Sequence, residues 1–258
     1  MPLHSLDELR EIVEEYLDEL PLMREVGGLQ GAIRYAFESG GKRIRPVLCL
    51  AVAEAAGGEV ARALAGAAAV ELTHSFSLVH DDLPALDDDA VRRGRPSVHV
   101  AFGEGVALLA GDALLAEAFR LVLSYERPEP GRELAAATLG MIGGQYRDIT
   151  GDDGDLDSLQ RLKTGRLFAA AVGLGLWAAR VPAEEQAPWR AFGDELGPLF
   201  QVVDDILDAD GIVERVGLEG AREVADRAAE RARAALDAVA GDTAVLRELV
   251  DGLAVRTS

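Results

Sequence analysis

The chain has a single cysteine, Cys49, among 258 residues. One thiol cannot form an intrachain disulfide, so the fold must hold through its core alone, and the sequence fits a reducing, cytoplasmic compartment. Lysine is nearly as scarce: of 26 basic residues, all but Lys42 and Lys163 are arginine. Long apolar runs are missing too. The longest, Leu167 to Ala179, is too short to span a bilayer and reads as a buried helix. The start MPLHSLDELREIVEEYL is acidic and amphipathic, without the basic and apolar regions of a signal peptide. Positive charge is in deficit: 26 Lys+Arg against 45 Asp+Glu leave a net charge of −19. That field repels nucleic acid and anionic lipid and excludes both as non-specific partners. An anionic substrate therefore needs locally gathered cations or a bound metal. Period-two alternation is absent, and no Asn-Gly or Asp-Gly turn sits between β-branched runs, which argues against a β protein.

What is present is helical pattern. Apolar residues are 49% and charged residues 28% of the chain, an ordinary globular composition. Leu6, Leu9, Ile12, Val13, Tyr16, Leu17 and Leu20 form a 3.6-residue stripe. Helices are predicted at Val60 to His80, Val106 to Tyr125, Glu133 to Ile149, Leu156 to Lys163, Thr164 to Arg180, Glu184 to Asp208, Leu218 to Ala240 and Thr243 to Leu253. Gly40-Gly41 and Gly57-Gly58 read as helix ends. Residues 83 to 98 hold Pro84, Gly94 and Pro96 and read as a loop. With no linker and no repeat, residues 1–258 read as one all-α domain.

Four segments carry chemistry. In HDDLPALDDDAVRRGRP, His80 to Pro96, five aspartates fall close together: Asp81, Asp82, Asp87, Asp88 and Asp89. Asp81 and Asp82 close a helix, where the dipole disfavours carboxylates. Such a cluster needs cations, and hard oxygen ligands suit Mg²⁺. Arg92 and Arg93 come next, and their guanidinium forks match phosphate oxygens. In FQVVDDILD, Phe200 to Asp208, Gln201, Asp204, Asp205 and Asp208 share one face of a helix whose other faces are apolar. Buried carboxylates are costly unless paired or metal-bound. GGKRIRP, Gly40 to Pro46, offers a tight turn and three cations without the spacing of a P-loop. LKTGR, Leu162 to Arg166, carries the second lysine at a helix junction. His74 lies two turns before Asp81 on the same face. Each segment also has a bland alternative: a solvated acidic loop, an exposed polar face, a basic helix end, a structural histidine. His4 reads as a surface residue, His80 as orienting Asp81 or packing, Phe76 and Phe200 by default as core aromatics. Gly143-Gly144-Gln145 with Asp148 reads as close helix packing and a polar bridge.

Taken together, these segments resemble the short-chain trans-isoprenyl diphosphate synthases, the family of farnesyl and geranylgeranyl diphosphate synthases. The resemblance runs from about Gly40 to Asp208 and adds FGEGVALLAGDALLAEAF and GGQYRDI to the segments above. It implies a helical bundle around a deep central cavity, usually a homodimer. It implies that isopentenyl diphosphate and an allylic diphosphate (dimethylallyl, geranyl) are joined head to tail. Asp81, Asp87 and Asp204 are then expected to bind three Mg²⁺ ions with the allylic diphosphate, with Asp82, Asp205 and Asp208 beside them. Arg92 and Lys163 are expected to hold the same diphosphate, and Lys42, Arg45, His74 and Arg93 the isopentenyl diphosphate. Thr164 and Gln201 are expected to face the allylic carbocation.

The chain departs from the family pattern after Asp208. Only Ala209 to Gly217 precede the next predicted helix, and they hold no lysine; family members carry a longer, lysine-bearing segment there. Arg215 is a candidate replacement. A terpene cyclase needs no second basic site, which GGKRIRP and Arg93 argue against. A di-iron bundle needs two Glu-x-x-His pairs, and Glu71 to His74 is the single match. A non-catalytic partner subunit is expected to lack one aspartate motif, and both are present. Phe76 lies five residues before Asp81, ~7.5 Å further along the helix. As a cavity floor it implies farnesyl diphosphate, C15, as main product. If it merely packs, small Ser77 leaves the wall open and geranylgeranyl diphosphate, C20, is the alternative.

Overall fold

The computed structural model describes residues 3–38, 40–151 and 161–255. Among them are eleven α-helices: α1 (Leu6–Asp18), α2 (Gln30–Phe37), α3 (Ile44–Ala55), α4 (Val60–Asp81), α5 (Val98–Phe102), α6 (Glu104–Val122), α7 (Glu129–Thr150), α8 (Arg166–Ala178), α9 (Ala187–Asp208), α10 (Ile212–Asp237) and α11 (Ala244–Ala254). None is long and apolar enough to cross a membrane. The predicted helix Leu156 to Lys163 lies mostly outside the described residues. Its last three residues join Thr164 and Gly165, the start of the next predicted helix, in a single π turn, Arg161–Gly165, that leads into α8.

Local chemistry sets several of these boundaries. Ser5 and Glu8 form a reciprocal capping box at the start of α1. Ala209, in the left-handed region at φ 55°, ends α9. The helix predicted from Leu218 begins earlier, at Ile212, but Gly217 at φ 74° breaks it, so one short turn precedes the long helix. α2 and α3 are not expected from the periodicity. α3 is apolar on most faces: nine of its side chains, Pro46 to Ala53 and Ala55, are buried, and periodicity is faint where every face is covered. α2 is only eight residues long and buries Ala32, Ile33 and Phe37, too short a stripe to stand out.

The central packing is α4 against α6, α3 and α8. α4 brings small residues to these contacts, among them Ala63, Gly66, Ala67 and Ala69, all buried; small side chains let helix axes approach closely. Around them one continuous apolar core gathers Leu9, Ile33, Leu72, Leu114, Phe168, Phe192 and Leu246. Cys49 is fully buried there and its thiol is pushed up by burial.

The segment read as a loop at 83–98 contains a small antiparallel ladder. β1 (Val91–Arg92) pairs with β2 (Arg95–Pro96), Val91 opposite Pro96 and Arg92 opposite Arg95. Arg93 and Gly94 turn the chain with φ of 53° and 73°, both positive as a type I′ hairpin requires. An arginine in the left-handed region is not a readable turn signal, which is why the sequence hides the ladder. Two close approaches bring α9 and α7 onto the Arg161–Gly165 turn. A Cβ on Gly197 of α9 would run into Gly165 Cα, and one on Gly144 of α7 would meet Lys163 N at 2.8 Å. Glycine therefore lets both helices press against the turn that carries Lys163 and Thr164.

Arg43, buried and at φ 46°, anchors the basic segment from below. Its Nη1 donates to Glu71 Oε1 at 2.6 Å, Nε to Glu14 Oε1 at 2.9 Å and Nη2 to the Phe37 carbonyl at 2.6 Å. Glu71→Ala leaves this buried guanidinium short of charge, a loss of about 3 kcal/mol. Thermal unfolding by circular dichroism should show Tm falling by about 10 °C, against a smaller fall for the more exposed Glu14→Ala.

Candidate active site

Two open cavities adjoin. The first, about 370 Å³, is walled by apolar side chains of α4, α7 and α8: Phe76, Leu78, Met141, Ile142, Tyr146, Ile149 and Leu167. Its polar lining includes Asp81, Gln145, Lys163 and Thr164. The second, about 630 Å³, is basic: Lys42, Arg43, Arg45, Arg92 and Arg93 line it with Gln201 and Asp204. Arg45, His74, Leu78 and Thr164 border both and form the partition. A protein of net charge −19 thus gathers five cations around one chamber; Arg43 and Arg92 are paired with carboxylates, and the others add the local positive charge an anionic ligand requires.

The first aspartate segment divides by environment. Asp81 ends α4, and the Asp87 amide folds back to donate to its carbonyl at 2.9 Å. Burial pushes the Asp81 carboxyl up to about 6; Asp87 and Asp82 push the same way, while Lys163 and Arg92 oppose. Asp87 is exposed. Asp82 is 3% exposed and accepts from Arg92 Nε at 2.9 Å and again from its Nη2, while Asp89 accepts from Nη2 at 2.8 Å. On α9, burial also raises Asp204, with Asp208 and Asp205 adding to it and Lys42 and Arg45 opposing. Lys42 Nζ lies 4.0 Å from its carboxylate. Asp208 is exposed, so the expected four-residue stripe is not uniformly buried: α9 emerges from the core at Leu207.

No three Asp, Glu, His or Cys side chains among the described residues converge tightly enough to hold a metal by themselves. The half-buried, incompletely neutralised carboxylates Asp81 and Asp204 nonetheless fit Mg²⁺, which takes one or two carboxylates and completes its shell with water and substrate phosphate.

The cations are held differently. Arg45 lies over Phe168 at 4.5 Å and Phe200 at 5.3 Å from guanidinium carbon to ring centroid. Its Nε is buried without a partner, and burial lowers its pKa to about 10. The two rings touch, with centroids 5.0 Å apart, and a fork laid over both with a free donor is pre-organised for a phosphate oxygen. Arg93 donates to the Gly40 carbonyl. Lys163 Nζ donates to Asp148 Oδ2 at 2.5 Å. Burial, then the charges of Arg45, Arg93, Arg43 and Arg92, lower His74 well below its ordinary pKa, so it enters the site as neutral imidazole. Thr164 Oγ1 donates to Gln201 Oε1 at 2.8 Å across the partition. His80 packs edge-on against Phe76, ring centroids 4.9 Å apart, and bonds to the Leu108 carbonyl rather than to Asp81. His4 is tied to Glu54. Arg215 is exposed and pairs with none of the described residues.

Three contributors carry no clear site signal in the sequence. Phe168 and Phe200 read as core, and they also form the aromatic surface on which Arg45 lies. Gln145 carries a side-chain nitrogen and oxygen both buried without a partner at the wall of the first cavity. Its neighbours Gly144 and Asp148 supply the close packing and polar bridge read from the sequence.

A helical bundle with a basic chamber opening onto an apolar one defines an isoprenoid synthase. The polyprenyl synthetase family model matches residues 27–222. The chain is 38% identical over 227 residues to the geranylgeranyl diphosphate synthase of Cyanophora paradoxa, covering 82% of this chain and 76% of that one. It is 35% identical to the farnesyl diphosphate synthase of Bacillus subtilis, with 88% of each covered. The crystal structure of an FPP/GFPP synthase from Zymomonas mobilis superposes with a TM-score of 0.85 at 31% identity, covering 96% of this chain and 97% of that one. The chain belongs to the polyprenyl synthetase family and is a prenyltransferase, a short-chain trans-prenyl diphosphate synthase.

The raised Asp81 carboxyl bears on stability. Folding favours its neutral form, so the protein loses stability as pH rises from about 4 to above 6. In metal-free protein Asp81→Asn should raise Tm at pH 8, and the gain should vanish at pH 4. Scanning calorimetry at the two pH values checks it; equal effects at both would show that Asp81 bears no such strain.

Proposed function

We propose that this prenyl diphosphate synthase makes farnesyl diphosphate as its main product, with Mg²⁺ as cofactor. The observation that carries the reading is the pairing of chambers: cations and an orphaned guanidinium donor on one side, an apolar pocket bounded by Phe76 on the other. Isopentenyl diphosphate occupies the basic chamber, held by Lys42, Arg45, His74 and Arg93. The allylic diphosphate lies with its head near Asp81 and Lys163 and its tail among Phe76, Met141 and Leu167. Asp81, Asp87 and Asp204 hold the Mg²⁺, with Asp208 at the edge.

Bound Mg²⁺ supplies electrophilic stabilisation of the leaving diphosphate. Lys163 and Arg92 add fixed positive charge to the same group; Arg92 reaches it by exchanging one of its aspartate contacts. As the allylic C–O bond ionises, the oxygens of Thr164 and Gln201 at the partition face the carbocation. The alkene in the basic chamber attacks it, forming the new C–C bond, and a proton leaves to the departing diphosphate. The apolar wall excludes water that would capture the cation.

Relatives named for C15 and for C20 products match almost equally, so the pocket floor decides the product. Phe76 is 7% exposed and lines the apolar cavity beside Ser77; its ring also packs on His80, which braces it. This supports the C15 reading over C20.

A homodimer fits the surface. Leu139, Ile142, Tyr146 and Ile149 form an apolar stripe on α7, exposed by 47% to 70%, and Leu108 and Leu109 of α6 are exposed as well. A stripe of that kind marks a contact surface, and Ile142, Tyr146 and Ile149 also wall the apolar cavity.

The decisive experiment is product mass after incubating the protein with Mg²⁺, isopentenyl diphosphate and each of the C5, C10 and C15 allylic diphosphates. A dominant C15 product is expected, and Phe76→Ala should shift it toward C20 or longer at some loss of stability. A folded, active variant with the original product removes Phe76 as the floor. Asp81→Ala and Asp204→Ala should each lower turnover by about a thousandfold, ~4 kcal/mol of barrier, at saturating Mg²⁺; retention of a tenth of the activity would refute the metal assignment. Lys42→Ala should raise KM chiefly for isopentenyl diphosphate and Lys163→Ala chiefly affect the allylic substrate, since screened charges act locally. Equal effects on both would mean the chambers are assigned wrongly.

A further inference from the structure

Asp205 differs from its neighbours in the second aspartate segment. It is 4% exposed, and both carboxylate oxygens are engaged within the protein. Oδ1 accepts from Gln201 Nε2 at 2.8 Å. Oδ2 accepts from the main-chain N–H of Ile212 at 3.0 Å. Its own carbonyl accepts from the amides of Ala209 and Asp210. The approach of the Ile212 amide depends on Gly211, at φ 51°, where a Cβ would lie 2.5 Å from Asp205 Oδ2. The short connection between α9 and α10 is thus folded around this one side chain.

These bonds have a direction. A carboxylate can only accept, so Gln201 must turn its NH₂ toward Asp205 and its oxygen away. That oxygen then accepts from the Thr164 hydroxyl, which commits the hydroxyl proton and leaves the Thr164 lone pairs free at the partition. We propose that Asp205 is a positioning residue and not a metal ligand: bound to the Ile212 amide of the shortened connection, it sets the hydrogen-bond direction that turns the negative ends of Gln201 and Thr164 toward the reacting carbon. The inference rests on the placement of Thr164 and Gln201 beside the allylic cation, and it names what orients them.

Asp205→Asn tests the direction because it keeps the shape. The introduced amide oxygen must accept from the Ile212 N–H, so the introduced NH₂ faces Gln201. Gln201 then flips, offers its own NH₂ to Thr164, and releases the hydroxyl proton toward the chamber. A positive end now faces developing positive charge. Turnover is expected to fall roughly tenfold or more, with KM for both substrates and the Mg²⁺ requirement within about twofold of wild type. The exchanged pair Gln201→Glu with Asp205→Asn restores the direction, because the relocated carboxylate accepts from both the introduced NH₂ and the Thr164 hydroxyl. It should recover most of the lost kcat. Gln201→Glu alone sets two carboxylates together and should not.

A raised Mg²⁺ requirement in Asp205→Asn, unrelieved by the exchange, would make Asp205 a metal ligand and overturn the proposal. So would unchanged kcat in Asp205→Asn, or a folded exchanged pair no faster than the single variant. The Gln201 side-chain NH₂ resonance in ligand-free protein, assigned by its loss in Gln201→Glu, gives a reading independent of turnover. It should shift clearly in Asp205→Asn; an unmoved resonance sinks the directional chain even if the exchanged pair fails to fold. Inactivity of the wild type on the diphosphates would instead sink the functional reading, and the resonance would still decide the hydrogen-bond direction.

Discussion

The structure depends on holding like charges close together with only part of each group neutralised. Five cations crowd the basic chamber, and half-buried Asp81 and Asp204 face the chambers with incomplete compensation. Both arrangements are unfavourable by themselves; an anion beside the cations and a cation beside the carboxylates would offset them. The protein meets the strain at a few points. Glu71 and Glu14 neutralise Arg43 beneath the chamber, two aromatic rings hold Arg45, and burial among cations keeps His74 neutral.

The helices serve this arrangement by approaching one another closely. α9 crosses the Arg161–Gly165 turn at Gly197, and α7 meets the same turn at Gly144. These crossings bring Thr164 within hydrogen-bond reach of Gln201 and Lys163 within reach of Asp148. A methyl group at either glycine would force the backbones apart, and the partition between the chambers would open. Packing and chemistry meet at these two positions.

Much of the site is legible as sequence because function breaks ordinary composition. Two lysines in an arginine-rich chain fall in site segments, and aspartates gather at a helix end that disfavours them. The illegible parts depend on contacts that carry no local signal. Phe168 and Phe200 look like core alone, and the sequence does not show that Arg45 lies over both rings. Gln145 has no partner in its own helix. The 91–96 hairpin turns on an arginine with positive φ, which no turn rule favours. α3 is hidden because burial on most faces erases periodicity, and α2 because eight residues carry too short a stripe.

By itself the amino-acid sequence determined the helical class, the two aspartate segments, the basic segments and their order, because periodicity, charge and spacing are local properties of the chain. Only the tertiary structure decided which aspartates stay open and which are bound. Asp82 pairs with Arg92 and Asp205 with Gln201 and Ile212, while the Asp81 and Asp204 carboxylates face the chambers with their charge only partly offset. Identical side chains one residue apart on a helix point about 100° apart, and what each meets there is set by the neighbouring elements rather than by its place in the motif.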